Sequence, residues 1–125
     1  MIHLDTNVVL WVHQNNTAHF PPKVRKWLRG ARPMISPMVR VELAFLHERG
    51  RLNFTAVEIL EDLRLQIDLG IAESRLEQVA AIASTLKWTR DPFDRMITAH
   101  ALADDLPLLT KDATILTNCP LACWE

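Results

Sequence analysis

Four carboxylates, Asp5, Glu42, Asp94 and Asp112, stand where metal-assisted chemistry could use them. Glu42 is the most informative. Met38 and Val39 before it, and Phe45 and Leu46 after it, put its carboxylate on the apolar stripe of a helix. A buried carboxylate without a partner is costly, so Glu42 calls for a cation, a buried arginine or a metal. Asp5 follows His3-Leu4 where a strand becomes a helix; it either caps that helix or, if Thr6 takes the cap, is free to ligate. Asp91, directly before Pro92, fits a helix cap. Asp94 shares a face with Ile97, Thr98 and Ala101 and is drawn toward the core, so Asp94 reads as the ligand of this pair. Asp112 directly follows Leu108-Leu109-Thr110-Lys111, where capping and ligation compete, whereas Asp104-Asp105 reads as a solvated helix end.

Convergence of these four acids at one edge would raise their proton affinities unless a divalent cation compensated them. Hard oxygen donors select magnesium or manganese over zinc. The five histidines form no HExxH, and Cys119 with Cys123 supplies neither a zinc set nor a disulfide scaffold. Two such ions, about 4 Å apart, can activate a water and stabilise charge developing on a phosphodiester, with no protein nucleophile required.

The elements that must position these acids alternate short strands with amphipathic helices. Met1 to Asp5 reads as a strand and Thr6 to about Asn15 as a helix. Pro21-Pro22 opens a second helix, which Gly30 is expected to end in a left-handed conformation. Pro33 to Ile35 is a strand candidate. Ser36-Pro37 then caps a helix through about His47, with Gly50 beyond its end. Capping boxes, Thr55-Ala-Val-Glu58 and Ser74-Arg-Leu-Glu77, predict two more helices, with a short strand at Gly70-Ile71-Ala72 between them. Asp91-Pro92 opens the next helix, Leu106 to Thr110 reads as a strand, and Leu121 to Trp124 as an edge strand. The expected architecture is one α/β domain over residues 1–125, a sandwich of helices around a mostly parallel sheet. In such sheets ligands gather beyond the carboxyl ends of the strands, where Asp5 and Asp112 fall.

With 125 residues, 49% hydrophobic and 23% charged, the chain suits a packed core rather than disorder. It has no long apolar run and a polar start, so a cytoplasmic location with no membrane contact is expected. The net charge of -1 gives no overall attraction to a polyanion, but residues 19 to 51 carry eight bases against two acids.

The ordered set Leu4-Asp5-Thr6-Asn7, Glu42 within Ser36-Pro-Met-Val-Arg-Val-Glu42-Leu, Arg90-Asp91-Pro-Phe-Asp94-Arg-Met-Ile-Thr-Ala-His-Ala101 and Leu108-Leu-Thr110-Lys-Asp112 resembles the PIN-domain nucleases. Within them it is similar to the small toxins of VapBC toxin-antitoxin pairs, along essentially the whole chain. The resemblance implies a PIN-like three-layer sandwich and a magnesium- or manganese-dependent endoribonuclease. It also implies a homodimer inhibited by a small antitoxin protein. It maps the family's acids onto Asp5, Glu42, Asp94 and Asp112, with Asp91 close by, and polar supporting positions onto Asn7 and Thr110. The aromatic residue that often follows the family's last acid is absent; Ile115 stands in that region.

Arg40, Arg95 and Lys111 lie near the acids in sequence and are candidates for RNA phosphate contacts. Trp11, Trp27, Trp88 and Trp124 serve either the core or a dimer or antitoxin groove. The same ligands would serve a flap-type DNA nuclease or a phosphatase, and a PIN-like scaffold that only binds a protein is the non-catalytic alternative. A response-regulator-like module fits less well, because neither the Asp5 nor the Glu42 context supplies its phosphoacceptor pattern.

Overall fold

A computed structural model describes residues 1–125. Five short strands form one sheet: β1 (Ile2–Leu4), β2 (Pro33–Ile35), β3 (Gly70–Ile71), β4 (Leu108–Leu109) and β5 (Ala122–Cys123). The order is β3-β2-β1-β4-β5, and every pairing is parallel. A parallel sheet needs cover on both faces, which explains why β1 and β4 read as apolar runs rather than alternating ones. Ile2, His3, Leu4, Leu108 and Leu109 are all fully buried.

Seven helices supply that cover: α1 (Thr6–His13), α2 (Pro22–Gly30), α3 (Pro37–Glu48), α4 (Ala56–Ile67), α5 (Leu76–Ala83), α6 (Pro92–Asp104) and α7 (Ala113–Asn118). A 3₁₀ turn, Thr17–His19, links α1 to α2. Most helix starts follow from local chemistry. Ser36 accepts from the Met38 amide, Thr55 and Glu58 form a complete capping box, and Asp91 accepts from the amides of Phe93 and Asp94. The core joins Ile2, Leu4, Val8 and Val24 to Ile35, Val39, Leu43, Leu63, Ile97 and Leu109, while α5 packs on α6 around Val79, Ala83 and Ala99.

The chain runs from β1 outward to β2 and β3, then returns to the other side of β1 with β4 and β5. The order therefore reverses between β1 and β4. Such a switch point opens a crevice at the carboxyl ends of the two strands, and the segments entering it begin at Asp5 and Thr110.

Several sequence expectations are corrected. Gly30 is the last residue of α2 without a left-handed conformation, and the chain leaves the helix through extended Ala31. Only Gly50, at φ 74°, needs the glycine freedom expected beyond a helix end. Asp68 and Asp105 take left-handed caps where glycine is usual. At Gly70 a Cβ would meet the Met34 sulfur at 2.6 Å, so any larger residue there would require the flexible Met34 side chain to move. The second expected capping box is absent: α5 begins after Arg75 with no side-chain cap, and the Ser74 hydroxyl donates to Asp104. Asp104 is accordingly not a solvated end. It also accepts from His3 Nε2 at 2.7 Å, and burial pulls the His3 pKa down against the opposing pull of this carboxylate. No helix is long and apolar enough to cross a membrane.

Candidate active site

Asp5 leaves β1 with its side chain only 7% exposed. Its Oδ1 accepts from the Thr6 amide at 2.8 Å, and its Oδ2 accepts from the Thr110 hydroxyl at 2.7 Å. The first bond makes Asp5 itself the cap of α1 in place of Thr6, but the two bonds use only two of the carboxylate's roughly four acceptor positions, so capping does not exclude ligation. The second ties the end of β1 to the end of β4 across the switch point. Backbone pairing supports it, with the Asp5 amide donating to Leu109 O at 3.0 Å. Burial raises the Asp5 pKa, opposed by the two donors and reinforced by the charges of Asp112 and Asp91.

Glu42 is half-buried on α3, as its place on the apolar stripe required. Its partner is neither arginine nor lysine. The buried Thr6 hydroxyl donates to Oε1, so Thr6 holds Asp5 through its amide and Glu42 through its side chain. Burial also raises the Glu42 pKa, against the Thr6 bond.

Asp91 takes the capping role its sequence context suggested, and Asp94 is the more buried of the two. Asp91 is exposed and caps α6, its Oδ1 lying 2.8 Å from the Phe93 amide and 3.3 Å from the Asp94 amide. Asp94 points from the first turn toward the other acids. Burial, followed by the charges of Asp91, Asp5, Asp112 and Glu42, pushes its pKa to about 7. Asp112 is exposed and caps α7, with Oδ1 accepting from the Ile115 amide at 3.0 Å, while its own amide donates to Thr110 Oγ1 at 3.1 Å. Thr110 is thus the hinge between Asp5 and Asp112. Ile115, in place of an aromatic, is the fully buried residue of α7.

The fold thus brings Asp5, Glu42, Asp94 and Asp112, with Asp91, into one electrostatic neighbourhood. No three acidic, histidine or cysteine side chains close to a ligand cage. The donor chemistry nonetheless fits magnesium or manganese: all the groups are hard oxygens, they bear mutual repulsion a cation would relieve, and magnesium typically retains several waters rather than filling an all-protein cage.

Sequence reasoning did not find the role of Thr6. The only signal is a hydroxyl in the first turn of a helix, a common feature. Nor did it find Arg49, which lines a cavity of about 360 Å³ with Glu42, Asp91, Phe45 and Phe93. The largest cavity, about 890 Å³, lies around Arg32, Gly70, Ser74 and Asp104 and touches none of the candidate ligands. Asn7 is exposed on α1 and Arg40 on α3. Arg95 is partly committed, since its Nε donates to Thr89 O at 2.8 Å. Trp124 is buried against Trp11 and Phe20, while Trp11, Trp27 and Trp88 are half-buried.

No protein of curated function matches this chain in sequence. Solved structures do match its fold. A chain of VapBC2 from Rickettsia felis, crystallised bound to a promoter DNA fragment, superimposes with a TM-score of 0.71 and 16% identity over 100% of both chains. DNA-bound VapBC from Salmonella typhimurium gives 0.64 and 21% over 100% of this chain and 98% of that one. A toxin-antitoxin complex from Klebsiella pneumoniae gives 0.66 and 15% over 98% and 96%. The PIN domain family model matches residues 2–117, which include all five acids at the switch point. The chain belongs to the PIN domain family.

Proposed function

We propose that this protein is an endoribonuclease toxin that hydrolyses RNA phosphodiester bonds with magnesium or manganese and is held inactive by a cognate antitoxin. The observation that carries the reading is the hydrogen-bonded chain that links Glu42 through Thr6 to Asp5 and Asp5 through Thr110 to Asp112 where β1 and β4 end, with Asp94 in the field of these charges. PIN-domain nucleases generally use divalent metal ions. The toxin role is supported by the toxin-antitoxin complexes among the structures of similar fold. On this reading the protein is a single PIN-like domain that acts in the cytoplasm as a homodimer.

Asp5, Glu42, Asp94 and Asp112 would hold one or two ions. When bound, the ions supply a water activated for attack and neutralise charge developing on the phosphodiester. The protein's own groups do the rest. Thr6 and Thr110 donate to one oxygen each of Glu42 and Asp5, which orients the carboxylates without neutralising them. Asp91 and Asp112 fix the first turns of α6 and α7, and Asn7, exposed in the first turn of α1 two residues after Asp5, is the candidate supporting amide. Arg95 and Lys111, each next to an acid in sequence, are the cations offered to steady the anionic strand; Arg40, two residues from Glu42 on α3, faces away from that carboxylate and would meet RNA only farther along.

The test is a substrate panel offered to purified antitoxin-free protein with manganese: structured RNA, single-stranded DNA, a DNA flap and a small phosphomonoester. The proposal predicts cleavage of RNA with little turnover of the others. Preferential cleavage of the flap, or of the monoester, would replace it with a DNA nuclease or phosphatase on the same ligands.

A further inference from the structure

Between Asp5 and Glu42 the chain has no carboxylate, yet it carries Lys23, Arg25, Lys26, Arg29, Arg32 and Arg40. The fold gives these bases different work. The Arg25 guanidinium is spent on Phe20 O and Thr17 O, both at 3.1 Å, and fastens the 3₁₀ turn to α2. Arg32 pairs with Asp68 at 3.4 Å at the opposite pole of the sheet. Lys23 and Lys26, three residues apart on α2, share a face. They line a cavity of about 430 Å³ with Trp27, Gly30 and Ala31. Lys23 also lines an adjoining cavity of about 550 Å³ with Lys111, Leu116, Ala122, Cys123 and Trp124.

Lys111 immediately precedes Asp112 in the chain, so the backbone at this end of the second cavity leads directly into the cap of α7, although none of the site's acids lines the cavity itself. The Lys111 ammonium lies 6.0 Å above the Trp11 ring, and His19 stacks on that ring at 4.2 Å and 13°. Lys26, Lys23 and Lys111 therefore alternate with apolar and aromatic surface. The one carboxyl-bearing residue in the two linings is Glu125, whose backbone oxygen accepts from Lys23 Nζ at 3.0 Å.

We propose that the trough from Lys26 through Lys23 to Lys111 carries a single-stranded flank of the RNA substrate into the acidic site. The proposal rests on the endoribonuclease reading and adds where the strand lies. The lysines answer successive phosphates, and the intervening apolar surface, Trp27 above all, offers faces to unstacked bases. A duplex keeps its bases inside and gains only the charge. An acidic peptide likewise uses the lysines but has no planar ring to set against Trp27.

The experiment measures binding of a labelled single-stranded RNA of roughly 12 nucleotides by fluorescence anisotropy across a salt series, using the full chain with Asp5→Asn to prevent cleavage. Adding Lys23→Glu with Lys26→Glu is expected to weaken binding at least ~10-fold and to lower the slope of log affinity against log salt by about 1.4. The neutral pair Lys23→Gln with Lys26→Gln should lower the slope equally, and it keeps the test open if charge reversal disturbs folding. Arg32→Gln with Arg64→Gln removes as much charge at the opposite pole and should change binding less than ~2-fold.

Unchanged binding by both lysine pairs, with RNA still cleaved by wild type, would overturn the trough and leave the nuclease standing. An equal loss in the arginine pair would reduce the effect to net charge and also overturn it. Displacement of the RNA by polyglutamate of matched charge, or equal affinity for a duplex of the same length, would overturn the single-stranded occupant. If the parent binds no RNA and wild type cleaves none, both readings fall.

Discussion

Replacing Asp94 with asparagine should stabilise the metal-free protein while disabling its metal site. Asp94 is half-buried among four other carboxylates, and its pKa of about 7 stands well above the ordinary 3.8. The gap gives a ceiling of roughly 4 kcal/mol for an enclosed group. Half exposure to screening solvent reduces this to about 1–2 kcal/mol. The first-turn carboxylate also gains about 0.3–1 kcal/mol from the helix dipole, an opposing effect of smaller size. The sign follows from linkage. A folded pKa raised above the unfolded one gives stability that is full below about 3.8 and lost as pH climbs through about 7. Asparagine keeps the neutral form at every pH. Thermal unfolding in chelator should therefore find the two proteins close near pH 4 and the variant higher by roughly 2–6 °C at pH 8 for a net gain of about 1 kcal/mol. Manganese at pH 8 should raise the wild-type midpoint and leave the variant nearly unmoved. A variant that melts at or below wild type in chelator at pH 8 would refute the crowded-carboxylate argument.

Other substitutions separate ligation from scaffolding. Asp91→Asn should reduce cleavage less than Asp94→Asn, because asparagine still accepts from the Phe93 and Asp94 amides; the opposite order in single-turnover rates would reverse the assignment. Thr6→Val should leave Glu42 without its donor and raise the manganese concentration needed for half-maximal thermal stabilisation by about 10-fold or more, with Thr6→Ser restoring most of it. Asp104→Ala should destabilise by about 1–3 kcal/mol in denaturant, because His3 Nε2 and Ser74 lose their acceptor, yet should not alter the manganese titration. Chelation should abolish cleavage by wild type, and magnesium or manganese should restore it where zinc does not.

The parts of the fold set by local chemistry were legible in the sequence. Ser36, Thr55 and Asp91 cap the helices their spacing predicted, and the apolar run at Leu108-Leu109 is the buried strand it resembled. The partial burial of two candidate acids was legible where pattern and charge conflicted, as with Glu42 on an apolar stripe and Asp94 on the core side of its helix. Tertiary partners were not legible. The Ser74 capping pattern was overridden because Asp104, 30 residues later, offers its hydroxyl a carboxylate acceptor. Asp104 itself looked solvated because its buried partner His3 lies 101 residues away. The bridge from Thr6 to Glu42 likewise spans 36 residues and leaves no periodic trace. Strand order was inaccessible for the same reason: the reversal between β1 and β4 that gathers the acids depends on pairings distant in sequence.

The central claim is that these acids form a cation-dependent RNA-cleaving centre at the switch point. Its most direct test is incubation of a total-RNA pool with purified wild type and with Asp5→Asn prepared identically, each with manganese and with chelator. The account predicts discrete fragments only from wild type with manganese. Fragments of the same pattern from Asp5→Asn, or from wild type in chelator, would contradict it.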